Sequence, residues 1–98
     1  MTRVVFVDVD DTLVRSVGTT RIPMPAVVAR VRALKESGAD IFLWSSGGAE
    51  YCRATAQMLG LADYVDGYLP KPTLYIDDQP IEAWRDCRHV HPLDIANA

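Results

Sequence analysis

Residues 4–13 read VVFVDVDDTL, a run of apolar β-formers that closes on three carboxylates, Asp8, Asp10 and Asp11, within four positions. Like charges so close repel, and a chain gains nothing by gathering them at the end of a buried strand. A divalent cation would offset that cost. The stretch therefore constrains fold and chemistry together. A short, unbroken apolar run predicts a strand buried in a parallel sheet, and its acidic end calls for opposite charge.

The same pattern recurs twice. Residues 41–44 predict a second buried strand, ending at Ser45-Ser46-Gly47-Gly48, and residues 74–76 a third, ending at Asp77-Asp78. Helices fit between them. Pro25 suits a first turn, Val27, Val28, Val31 and Leu34 recur at helical spacing, and Gly38 is a stop, so a helix is expected over 25–37. A second is expected over 49–59, with Gly60 after it. Residues 14–25, marked by Gly18, Pro23 and Pro25, predict a loop. Residues 61–72 predict a connection with room for a short edge strand. A short helix at 80–85 and a terminal strand at 88–91 complete the chain. Strands alternating with helices imply an α/β fold: a small three-layer Rossmann-like domain with a mostly parallel sheet of three to five strands. The 98 residues are expected to form a single domain, 1–98.

Composition narrows the function classes. A net charge of −3 provides no basic face for nucleic acid or an anionic membrane, although a polynucleotide end stays compatible as substrate. Cys52 and Cys87 lack CxxC spacing and read as buried reduced thiols. No stretch has the length of a membrane span, and the acidic N-terminal stretch does not fit a signal peptide, so a cytoplasmic protein is expected. A domain this small and this apolar has reason to bury an edge by dimerising, but no residue decides it.

In a parallel sheet all C-terminal strand ends face one crevice, where ligands bind. Asp8, Asp10, Ser45, Asp77 and Asp78 would meet there. Oxygen ligands of this kind suit Mg²⁺. A carboxylate beside the metal can attack phosphorus, and a second, two residues on, can move a proton to the leaving oxygen. Ser45, Ser46 and the backbone at Gly47 can hold phosphoryl oxygens at a helix start. Lys71, in LPKPTLYIDDQP, is the candidate cation. Six positions separate it from Asp77, about 20 Å if extended. Lys71 therefore reaches the site only if the LPKP stretch bends, and Arg15 or Arg53 would otherwise serve. His89 and His91 have the i,i+2 spacing of a strand pair, with no third ligand nearby. Trp44 and Trp84 read as core or rim packing.

Taken as a set, these motifs resemble the haloacid dehalogenase (HAD) superfamily of phosphohydrolases. VVFVDVDDTL matches its first motif, IFLWSSG its second, Lys71 its third and LYIDDQP its fourth. The resemblance implies Asp8 as a nucleophile forming an aspartyl-phosphate, Asp10 as general acid and then base, and Thr12 supporting the loop. It also implies Ser45 and Lys71 as phosphate contacts, and Mg²⁺ held by Asp8, Asp10 and one or both of Asp77 and Asp78. Asp11 is expected to face outward. No cap domain follows either of the first two motifs, so the cleft would admit a macromolecular phosphorylated substrate or be closed by a partner. FLWSSGGAEYC and IDDQP also look like the uncapped protein-serine phosphatase branch. Dehalogenation fits less well, since Asp10 serves proton transfer to an ester's leaving group. A non-catalytic phosphate- or metal-binding module needing a partner is the alternative from another class.

Overall fold

The computed structural model describes residues 3–98. In chain order they form β1 (Val4–Asp8), β2 (Val14–Val17), β3 (Thr20–Pro23), α1 (Pro25–Glu36), β4 (Asp40–Ser45), α2 (Ala49–Met58) and β5 (Gly67–Pro70). β1, β4 and β5 make a parallel sheet in the order β1-β4-β5. Val7 stands beside Leu43, Asp8 beside Trp44 and Ser45 beside Pro70. Both crossovers step the same way across the sheet, and right-handed connections then put α1 and α2 on one face. β4 records this in its alternation: Ile41, Leu43 and Ser45 are buried, while Asp40, Phe42 and Trp44 are half-buried.

The core lies between that face and the helices. Val7, Ile41 and Leu43 pack with Val27, Val28, Val31 and Leu34 of α1 and with Cys52 and Ala56 of α2. Among the described residues no α-helix covers the opposite face. Phe6 lies there with its ring centroid 5.4 Å from Phe42 and 5.0 Å from Trp44. The expected third layer is thus absent among the described residues, and the molecule is a small α/β domain of two layers. No helix among the described residues is long and apolar enough to cross a membrane. Ile41, with no exposed surface, sits at the centre of the core. Ile41→Ala is expected to cost about 2–5 kcal/mol, a large share of the ~5–15 kcal/mol typical of a domain. Urea denaturation measures it as a lower midpoint at unchanged slope.

Two segments differ from the sequence expectation. Residues 14–25 contain a hairpin, β2–β3, rather than a loop alone. Gly18, at φ 62°, opens the two-residue turn, the place that a II′ turn reserves for glycine. Pro23 is the last residue of β3, where a strand tolerates a missing donor.

The larger correction concerns residues 61–98. The third strand of the sheet is Gly67–Pro70, not residues 74–76. Asp66 fixes this choice. Its backbone N–H donates to Ile41 O at 2.7 Å, and its carboxylate accepts from Ile41 N–H at 2.8 Å and from Lys35 Nζ at 2.8 and 2.9 Å. The Lys35 hydrogen bond, then the Ile41 N–H, hold the Asp66 carboxyl below its ordinary range. A lowered folded-state pKa stabilises the fold above the unfolded value, and that contribution is lost as pH falls through the folded value. Gly67 lets the Phe42 ring approach, since a Cβ there would lie 2.9 Å from Phe42 Cδ1.

Once β5 is formed, residues 71–73 are too short for a parallel crossover back to the free edge of β1, which needs about a dozen residues. Leu74 and Ile76 are therefore left 77% and 93% exposed. The helix expected at 80–85 is a single 3₁₀ turn, Ile81–Ala83, and the strand expected at 88–91 does not form. The chain ends in a 3₁₀ segment, Pro92–Asn97, whose Ile95 joins the core beside α1.

Candidate active site

The loop after β1 is wound around one carbonyl. Val9, fully buried, accepts at its backbone oxygen from the N–H groups of Thr12, Leu13 and Val14, at 3.2, 2.9 and 3.2 Å. The tight turn puts Asp11 at φ 61°, a left-handed conformation that Asp tolerates better than most residues. Asp11 is exposed, as expected of it. The same winding brings Thr12 back to Asp8, where Thr12 Oγ1 donates to Oδ2 at 3.1 Å.

Lys71 supplies the opposite charge. Its Nζ lies 3.1 Å from Asp8 Oδ1 and 5.9 Å from the centroid of the Trp44 ring. It reaches because it follows β5 directly: its backbone N–H donates to Ser45 O at 2.9 Å, at the same end of the sheet as Asp8. The distance from Lys71 to Asp77 that made its reach doubtful does not enter, because the approach runs through β5. Arg15 and Arg53 stand elsewhere. Arg15 is exposed on β2, and Arg53 stacks over the Tyr68 ring at 4.7 Å and pairs with Glu50 at 3.5 Å.

Ser45 is 2% exposed, and its Oγ accepts from Gly47 N–H at 3.0 Å while keeping its own proton to donate. Ser46 and Gly47 are exposed in the turn that follows. α2 starts at Gly48 without a side-chain cap, so its first N–H groups keep their capacity for an anion. Cys52 lies buried beneath the acids. Burial first, then the charges of Asp8 and Asp10, push its thiol pKa up. Cys87, expected to be buried, is exposed on the C-terminal segment.

Asp10 has a partner in the tyrosine of FLWSSGGAEYC, to which the sequence assigned no role. Tyr51, on the first turn of α2, donates its hydroxyl to Asp10 Oδ1 at 2.5 Å. Burial, then this hydrogen bond, raise the phenol's pKa. Arg21 of β3 lies over the Tyr51 ring at 4.8 Å. Arg21 belongs to no motif that sequence alone can read.

Asp77 and Asp78 are not drawn into the cluster. Asp77 lines the same cavity, about 1520 Å³, as Asp8, Thr12, Trp44 and Lys71, yet its Oδ1 accepts from Gln79 N–H at 2.9 Å. Both acids are exposed. Among the described residues no three His, Cys, Asp or Glu side chains stand close enough to hold a metal ion. The donor chemistry of the strand ends still fits Mg²⁺, which takes one or two carboxylates and completes its shell with water and substrate phosphate. Trp84 is a rim residue, its Nε1 donating to Gln79 O at 3.4 Å. His91 Nδ1 accepts from Leu93 N–H at 3.1 Å, and His89 is exposed.

Comparison with family models, with curated proteins and with solved structures finds no match to this chain.

Proposed function

We propose that this chain is a Mg²⁺-dependent phosphomonoester hydrolase of the HAD type, with a Rossmann-like sheet of three strands. The observation that carries the reading is the contact of Lys71 Nζ with Asp8 Oδ1 at 3.1 Å, at the sheet end that also bears Asp10 and the uncapped start of α2. A nucleophilic carboxylate, a second carboxylate two residues on, a cation and free helix N–H groups make up the parts list of phosphoryl transfer.

An Asp8 carboxylate oxygen attacks phosphorus as the ester P–O bond breaks, and Asp10 gives its proton to the departing oxygen, releasing the alcohol. Asp10, now a carboxylate, takes a proton from water. The water oxygen attacks phosphorus, the bond to Asp8 breaks, and inorganic phosphate leaves. Lys71 offsets charge on the phosphoryl oxygens, and the N–H groups at the start of α2 with the Ser45-Ser46-Gly47 turn orient them. Thr12 fixes the Asp8 carboxylate through Oδ2. Asp8 and Asp10 would hold Mg²⁺, with Asp77 or Asp78 joining them only if the exposed 77–78 stretch moved in, and the ion would supply further positive charge at the phosphate. The uncapped cleft suits a phosphorylated macromolecule in the cytoplasm better than a small metabolite.

Hydrolysis of an aryl phosphate tests the reading. Turnover is expected with Mg²⁺, abolished by a chelator and restored by excess Mg²⁺. Turnover indifferent to chelation contradicts it. A second reading, a phosphate-binding module without turnover, is favoured by the exposed position of Asp77 and Asp78 outside the cluster. Phosphate binding with no hydrolysis at any Mg²⁺ concentration selects it.

A further inference from the structure

Tyr51 takes no part in the chemistry above, yet it is held on three sides. Its hydroxyl donates to Asp10 Oδ1 at 2.5 Å. The Arg21 guanidinium covers its ring at 4.8 Å and is itself anchored, Nη2 donating to Thr55 Oγ1 at 2.6 Å. Gly47 backs the ring so closely that a Cβ there would stand 2.8 Å from Tyr51 Cδ2. Thr55 Oγ1 also donates to Tyr51 O at 2.9 Å, tying the anchor to the same turn of helix. These contacts together hold the half-buried ring, and with it the hydroxyl, in one place.

We propose that Tyr51, braced by Arg21 and Gly47, is the positioning residue of the proton donor Asp10. The inference rests on the phosphatase reading and adds a role for Tyr51. The Tyr51 hydroxyl occupies Oδ1 and leaves Oδ2 as the oxygen that can face a leaving group. One side chain thereby orients the Asp10 carboxyl and selects which of its oxygens donates. Arg21 comes from the β2–β3 hairpin, so the hairpin contributes to the site through Tyr51.

A donor matters most when the leaving oxygen is basic, because general-acid assistance follows Brønsted behaviour. The test is kcat/KM with Mg²⁺ over a series of substituted phenyl phosphates, for wild type, Tyr51→Phe and Asp10→Asn. Tyr51→Phe keeps the ring and its packing, and its thermal midpoint checks the fold. The expected result is a steeper dependence on leaving-group basicity. Phenyl phosphate should lose about tenfold more than p-nitrophenyl phosphate, in the direction of Asp10→Asn, whose own loss belongs in the ~10²–10⁴-fold range of general acid catalysis. Equal losses across the series assign Tyr51 a packing role only and overturn the inference while leaving the phosphatase reading intact. No hydrolysis of any ester by the wild type overturns both.

Discussion

Asp8→Asn is expected to abolish hydrolysis of an aryl phosphate while the fold survives. Asn has the shape of Asp and keeps an oxygen that accepts from Thr12 Oγ1, which stands 3.1 Å from the present carboxylate. It has no anionic oxygen to attack phosphorus. Removing a nucleophile costs on the order of 10⁴- to 10⁶-fold in other hydrolases, so residual turnover should be undetectable in a routine assay. Stability should move little. The pair that is lost, Lys71 with Asp8 at 3.1 Å, has side chains 38% and 31% exposed, and such pairs contribute about 0–1 kcal/mol. Relief of repulsion with Asp10 acts in the opposite direction. Steady-state kinetics beside thermal unfolding measures both. Full activity in Asp8→Asn contradicts the assignment of the nucleophile.

Lys71→Met separates the cation's catalytic role from its structural one. Met fills a similar volume and leaves the β5 backbone contact to Ser45 untouched, since that bond is made by the Lys71 N–H. If Lys71 offsets charge developing on the phosphoryl oxygens, its loss should lower kcat by about 10²–10³-fold, the scale seen when one preorganised charge-stabilising donor is removed. The thermal midpoint should change little, by the same surface-pair argument. Lys71→Arg should recover part of the activity, because the guanidinium keeps the charge but not the compact geometry of an ammonium. A fall in stability with unchanged kcat would instead make the Lys71–Asp8 pair a structural contact.

The sequence showed some of this clearly. β1, α1, β4 and α2 were legible because each has an unbroken apolar run or a helical apolar spacing between punctuating residues: Pro25 before α1, Gly38 after it, Gly60 after α2. The C-terminal third was not. A parallel crossover needs about a dozen residues, so an edge strand within 61–72 and a strand at 74–76 cannot be directly joined parallel neighbours. That limit does not say which of the two would pair. LYI is the more apolar run, but Asp66 and Gly67 favour the other through a carboxylate bound to Ile41 N–H and a missing Cβ against Phe42. Those contacts are tertiary and leave no periodicity. The hairpin was obscured in a similar way, since Gly18 and Pro23 read as loop punctuation although one opens a turn and the other ends an edge strand. Asp8, Asp10 and Lys71 could be named from the sequence and stand together, whereas Asp77 and Asp78, named with them, lie outside the cluster. The hold of Tyr51 on Asp10 could not be read there, because it joins residues 41 positions apart.

The central claim is a covalent phosphoryl group on Asp8, and borohydride trapping tests it most directly. Wild-type protein is mixed with aryl phosphate and Mg²⁺, treated with borohydride during turnover, digested and read by mass spectrometry. An acyl phosphate at Asp8 is reduced to homoserine. Homoserine at position 8, dependent on both Mg²⁺ and ester and absent from Asp8→Asn, is the predicted result. Sustained turnover with Asp8 unmodified would show that phosphate leaves without passing through Asp8, and would contradict the account.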